Sequence, residues 1–88
     1  MKYYLGTLNV RIGDYGVDTS IRFATSGDPD KFHHRVAKTF WGKSKEDDET
    51  YYFNDGEIAI EVGDRVEVNK EVFYAIPNSV ACLFYKEN

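Results

Sequence analysis

Cysteine, proline and long apolar runs are scarce in this 88-residue chain, and each scarcity excludes something. Cys82 is the only cysteine, so an intramolecular disulfide is impossible and a stapled secreted scaffold is ruled out. Its neighbours Val80, Ala81, Leu83 and Phe84 are apolar. Cys82 is therefore expected to be a small buried core residue. A nucleophilic thiol would need a histidine or a helix terminus to lower its pKa. A reducing cytoplasm is the expected compartment. No apolar run approaches the ~20 residues of a membrane span. The first residues turn polar at Thr7 and Asn9, without the apolar stretch of a signal peptide. Internal repeats and low-complexity tracts are absent, so residues 1–88 are expected to form a single domain.

Aromatic residues are plentiful. Seven Tyr, six Phe and one Trp make up 16% of the chain, and each large ring can bury roughly 150–250 Å². That is enough for an ordinary core in a small domain. Charge is unevenly distributed. Residues 1–45 hold eight Lys/Arg against four Asp/Glu, whereas residues 46–71 hold ten Asp/Glu against Arg65 and Lys70. The net charge is −4. One basic and one acidic surface region are expected, which steer partners without defining a fold.

Residues 3–12 alternate, with Tyr4, Leu8, Val10 and Ile12 on one face and Thr7, Asn9 and Arg11 on the other. Gly13-Asp14-Tyr15-Gly16 is turn chemistry. Residues 17–25 alternate again, Val17, Thr19, Ile21 and Phe23 against Asp18, Ser20 and Arg22. The pair predicts a β-hairpin. Asp28-Pro29-Asp30 then predicts a helix start, with Asp28 as N-cap, and Gly42 a helix stop. On that helix Phe32, Val36 and Phe40 share an apolar stripe flanked by Ala37 and Trp41, and Lys31, His34, Arg35 and Lys38 form the outer face. Residues 43–49 are expected as an exposed loop. Tyr51–Phe53 and Ile58–Val62 flank Asn54-Asp55-Gly56, a hairpin signal. Gly63-Asp64 is expected to turn the chain into a further strand, 65–68. Residues 70–76 fit a short helix capped by Asn69 or a strand, and 80–85 a last strand. The expected class is α+β, a mostly antiparallel sheet of about five to six strands with one amphipathic helix packed on it, in the order ββαβββ(α)β.

Catalytic, metal and cofactor motifs are missing from this pattern. His33 and His34 are neighbours, about 100° apart on a helix, and cannot share a metal as an i, i+4 pair would. One imidazole is expected at the core boundary and the other in solvent, with Asp30 in reach of either. The glycines match neither a Gly-x-Gly-x-x-Gly nor a phosphate-loop pattern. The carboxylates are consecutive rather than spaced as in a calcium loop. No catalytic residue, metal ligand or cofactor is assigned, and the chain is read as a non-enzyme.

Two surfaces remain. The acidic one comprises Glu46, Asp47, Asp48, Glu49, Asp55, Glu57 and Glu61. Glu57 and Glu61 are expected on one strand face, joined there by Glu67. Spaced carboxylates can imitate phosphates to the Lys/Arg of a partner protein. The basic one comprises Lys31, Arg35, Lys38, Lys43 and Lys45, which can contact phosphates while Tyr3, Tyr51 or Tyr85 stack on unpaired bases.

Tyr3-Tyr4-Leu5-Gly6-Thr7-Leu8, Gly27-Asp28-Pro29-Asp30 and Phe40-Trp41-Gly42 together resemble small uncharacterised proteins carried by bacterial phages and other mobile elements. The likeness implies a setting in which compact acidic proteins bind and inhibit host machinery, including restriction and CRISPR complexes. The leading expectation is a non-catalytic protein-binding module. Its partner would be a host protein or complex with a basic surface. A nucleic-acid binder using the helix face is the alternative, and a small ligand-binding protein or enzyme the third reading. No membrane partner is expected. A homodimer formed through exposed sheet edges is.

Overall fold

Alternation in the first 25 residues produces a long antiparallel hairpin of β1 (Lys2–Ile12) and β2 (Tyr15–Thr25). The computed structural model describes residues 1–86, with side chains as far as Cys82. After the hairpin come α1 (Pro29–Lys38), β3 (Lys45–Asp47), β4 (Thr50–Phe53), β5 (Ile58–Val68), α2 (Lys70–Ala75) and β6 (Cys82–Lys86). The strands form one sheet in the order β3-β4-β5-β1-β2-β6. All pairings are antiparallel except that of β6, which runs parallel to β2. The class is α+β with a mostly antiparallel sheet.

α1 begins as its sequence dictates. The Asp28 carboxylate accepts from the Asp30 amide at 2.9 Å, with Pro29 in the first turn. The helix stops at Lys38, capped by Thr39, well before Gly42. Phe40 therefore lies beyond the helix and is only partly buried, and Trp41 is 49% exposed. The helix face that enters the core consists of Phe32, His33, Val36 and Ala37. It meets Tyr4, Leu8 and Val10 of β1, Ile21 and Phe23 of β2, Tyr51 and Phe53 of β4 and Ile60 of β5. Phe23 stacks between Tyr4 (5.3 Å) and Phe32 (5.2 Å) at the centre.

Part of the sheet's other face, around Arg22, is also covered, which the alternation of β2 did not anticipate. Arg22, expected in solvent, is buried at 6% exposure. Its Nε donates to the Ala81 carbonyl at 2.9 Å, its Nη1 to the Phe73 carbonyl at 2.7 Å, and its Nη2 to the Asn78 side-chain oxygen. The guanidinium also lies over the Phe73 ring. Residues 70–75 are helical because Asn69 caps the Val72 amide at 2.8 Å. Phe73 carries α2 into the sheet beside Tyr3, ring centroids 4.9 Å apart. Arg22 thus supplies a donor to one of α2's last-turn carbonyls, that of Phe73, which a short helix leaves unpaired, and ties the chain after α2 to the sheet through Asn78 and Ala81.

Several expectations are corrected. Residues 43–49 are not wholly loop, since β3 pairs with β4 through Lys45–Asp47. Gly63-Asp64 makes no turn, and 58–68 is one strand with an irregularity at those residues. Ile12 and Val17 are 45% and 54% exposed, because the hairpin tip runs past the helix. Cys82 is exposed, on an edge strand rather than in the core.

Candidate functional site

The irregularity in β5 decides what faces α1. Gly6 pairs with Arg65 and Leu8 with Val62, so Thr7 stands opposite two residues, Gly63 and Asp64. This is a β-bulge. Before it, Ile58, Ile60 and Val62 face α1; after it, Arg65 and Glu67 do, since the extra residue reverses the alternation. Gly63 is required by close approach: a Cβ there would collide with the Thr7 hydroxyl. Gly6 leaves a gap in β1 that the His33 ring fills, 3.1 Å from where its Cβ would stand.

His33 is completely buried. Its Nε2 lies 2.9 Å from the Thr7 carbonyl and its Nδ1 3.3 Å from Arg65 Nη1. A carbonyl only accepts and a guanidinium only donates. Nε2 therefore carries the proton, Nδ1 accepts, and the ring is neutral. Burial, the largest cause, pushes His33 below 6.5; the charge of Arg65 adds to this, and the bond to Thr7 opposes it. Arg65 Nη1 also donates to Asp30 Oδ1 at 3.1 Å. His33 is thus deeper than the core boundary expected for it.

His34 is half-buried and points to the groove between α1 and the β3–β4 hairpin. Its Nδ1 lies 2.9 Å from the Tyr51 hydroxyl and its Nε2 3.9 Å from Asp30 Oδ1. Burial, followed by the charges of Glu46, Glu49 and Asp30, raises the Tyr51 pKa above 10.0. Tyr51 is therefore a neutral phenol at physiological pH, structural rather than acid–base in character. Lys31, Arg35 and Lys38 rise on the helix side of this groove, and Glu46 and Glu49 on the hairpin side. The basic helix face and the start of the acidic stretch, separate in sequence, confront each other across it.

The acidic residues do not share one sheet face. Asp48 and Glu49, both with positive φ (52° and 64°), form the two-residue turn between β3 and β4. Positive φ at both central positions is the hairpin geometry that usually selects Asn-Gly or Asp-Gly. Glu61 lies near this turn and accepts from the Thr50 hydroxyl at 3.2 Å. Asp55 is at the opposite end of β4, in the helical turn Asn54–Gly56, where Glu57 accepts from the Asn54 amide. Glu57 precedes β5 and Glu67 lies beyond the bulge, so neither joins Glu61. Glu67 instead meets Lys2 at 3.8 Å. The acids ring the β3–β4 hairpin, and Glu46, Asp47, Asp48 and Glu49 are all exposed.

The basic set is divided as well. Lys31, Arg35 and Lys38 stay on α1, whereas Lys43 and Lys45 border a hollow with Glu46, Asp47 and Asp55. Of the aromatics considered for base stacking, Tyr51 is buried and Tyr3 packs on Phe73, while the side chain of Tyr85 lies outside the described residues. Sequence reasoning missed Arg22 and the role of Arg65. One signal for the latter was available: glycine inside a strand pattern, at Gly6 and Gly63, marks a bulge or a close approach.

Among the described residues there is no cluster of His, Cys, Asp and Glu able to hold a metal ion, and no helix long and apolar enough to cross a membrane. No family model, curated protein or solved structure matches the chain.

Proposed function

We propose that this chain is a non-catalytic protein-binding module whose acidic β3–β4 hairpin docks on a basic surface of its partner, in the manner of a phage or mobile-element inhibitor of a host nucleic-acid-processing complex. The observation that carries the reading is the hairpin turn. Glutamate occupies a left-handed position at Glu49, where glycine would relieve backbone strain of roughly 1–2 kcal/mol. The turn keeps four consecutive carboxylates, Glu46–Glu49, on an exposed sheet edge. Trp41, half-exposed and edge-on to Phe53 at 6.3 Å, offers an aromatic anchor beside the hairpin.

Binding of nucleic acid along α1 is the weaker reading. Glu46 and Glu49 face Lys31, Arg35 and Lys38 across the groove and oppose a phosphate there. A titration against labelled single- and double-stranded nucleic acid at low salt, beside capture of partners from a bacterial lysate, separates the two. The protein-binding reading expects a captured protein with a basic face and no salt-sensitive nucleic-acid binding. Salt-sensitive binding to nucleic acid with no captured protein would replace it.

A further inference from the structure

The sheet has a second edge that the described residues leave open. β6 pairs with β2 only from Ile21 onward, so among the described residues Tyr15–Thr19 of β2 have no strand on their outer side. These five residues contain no proline, lysine or bulge, and Asp18 is the one charge among them that could protect the edge. Tyr15 (79% exposed) and Val17 lie on the same face as the exposed Ile12. Such an edge is a template for another strand.

We infer that this edge pairs with the same edge of a second copy, antiparallel, about a two-fold axis through Val17. Charge selects the register. Side chains keep to their faces only if residue numbers shift in steps that preserve the alternation. An axis through Gly16 would set Asp14 against Asp18 of the other copy, and an axis through Asp18 would set the two Asp18 carboxylates against each other; like charges directly opposite destabilise a sheet. With the axis at Val17, Val17 meets Val17, Tyr15 meets Thr19, and Asp18 meets Gly16. Gly16 has no side chain, and its own partner in the hairpin is Arg11. Asp18 of one copy therefore looks across an empty position to Arg11 of the other, roughly 10 Å away along two strand spacings, within combined side-chain reach. The relation occurs twice by symmetry. Among the described residues neither Arg11 nor Asp18 has an ion pair within its own chain, and both are exposed. The pairing ends where β6 begins, which limits it to five residues per copy and makes a weak, concentration-dependent dimer.

Sedimentation across a wide concentration range tests this. The wild type is expected to move from 10.2 kDa towards twice that mass. Arg11→Asp alone and Asp18→Arg alone should each weaken association about tenfold or more, and the two together should restore it. Val17→Lys, which places two lysines at the axis, should hold the chain monomeric. Unchanged thermal melting of each variant shows that the fold is intact. A wild type monomeric at every concentration overturns the inference and leaves the edge to a strand of another protein. So does a dimer indifferent to these substitutions, which would place the contact elsewhere, for instance at the acidic hairpin.

Discussion

The sheet has a covered half and an open half, and they treat charge differently. Under α1 and α2, the buried His33 and Arg22 find their partners inside the molecule. His33 is fixed between the Thr7 carbonyl and Arg65, Arg65 reaches Asp30, and Arg22 satisfies two carbonyls and an amide oxygen. At the edges, Glu46, Asp47, Asp48 and Glu49 on one side and Asp18 on the other face solvent, as does Arg11 on the adjoining strand β1. Internal satisfaction marks residues that the fold consumes. External charge marks residues that the fold leaves in solvent.

If that division is right, stability losses concentrate in the covered half. Phe32→Ala should cost about 3–5 kcal/mol, because Phe32 is 2% exposed and stacked on Phe23. Denaturant unfolding measures it, and a loss under 1 kcal/mol would mean that α1 does not seal the core. Arg22→Met keeps much of the stem's packing but strands three acceptors, at about 1–3 kcal/mol for each one left buried. A loss of about 3 kcal/mol is expected, with the region around α2 opening first in amide exchange. Uniform exchange across the sheet would show that α2 is not held by Arg22.

His33 gives the comparison a pH axis. Its pKa in the folded chain is lowered from 6.5, so folding favours the neutral ring. Its contribution is complete above 6.5 and is lost as pH falls from 6.5 through the folded value, because the unfolded chain takes up the proton first. The wild type should therefore lose stability across that interval by more than His33→Gln does. Equal losses in the two chains would mean that His33 titrates as it would in solvent.

Changes in the open half should be small for stability. Glu49→Gly relieves a left-handed glutamate and should raise stability by about 1 kcal/mol. A loss instead would show that the Glu49 side chain does something for the fold beyond its backbone angle.

The covered half was partly legible in the sequence. Alternation gave the first hairpin, and Asp28-Pro29 gave the start of α1, because period and cap are local signals. Three features were not local. The bulge at Gly63-Asp64 has the composition of a turn, and only the register with β1 distinguishes the two. Arg22 sits at an outward position in a half-buried strand; that α2 and the chain after it cover this face depends on where β6 docks. Cys82 has apolar neighbours, yet lies on an edge. The acidic residues were found as a run, but their division around the β3–β4 hairpin follows from pairing that short, charged β3 does not announce.

The central claim is that the exposed acidic hairpin, and not the basic helix face, recognises the partner. Its most direct test is the association rate of a captured partner with the wild type, with an Asp47→Ser, Asp48→Ser and Glu49→Ser variant, and with a Lys31→Ser, Arg35→Ser and Lys38→Ser variant, each at low and high salt. The acidic variant should stay folded, with stability within about 1 kcal/mol of the wild type because positions 48 and 49 are left-handed, and associate more slowly, with the deficit largest at low salt and shrinking as salt screens the charges. The basic variant should associate as the wild type does. Loss of binding in the basic variant with retention in the acidic one would contradict the account.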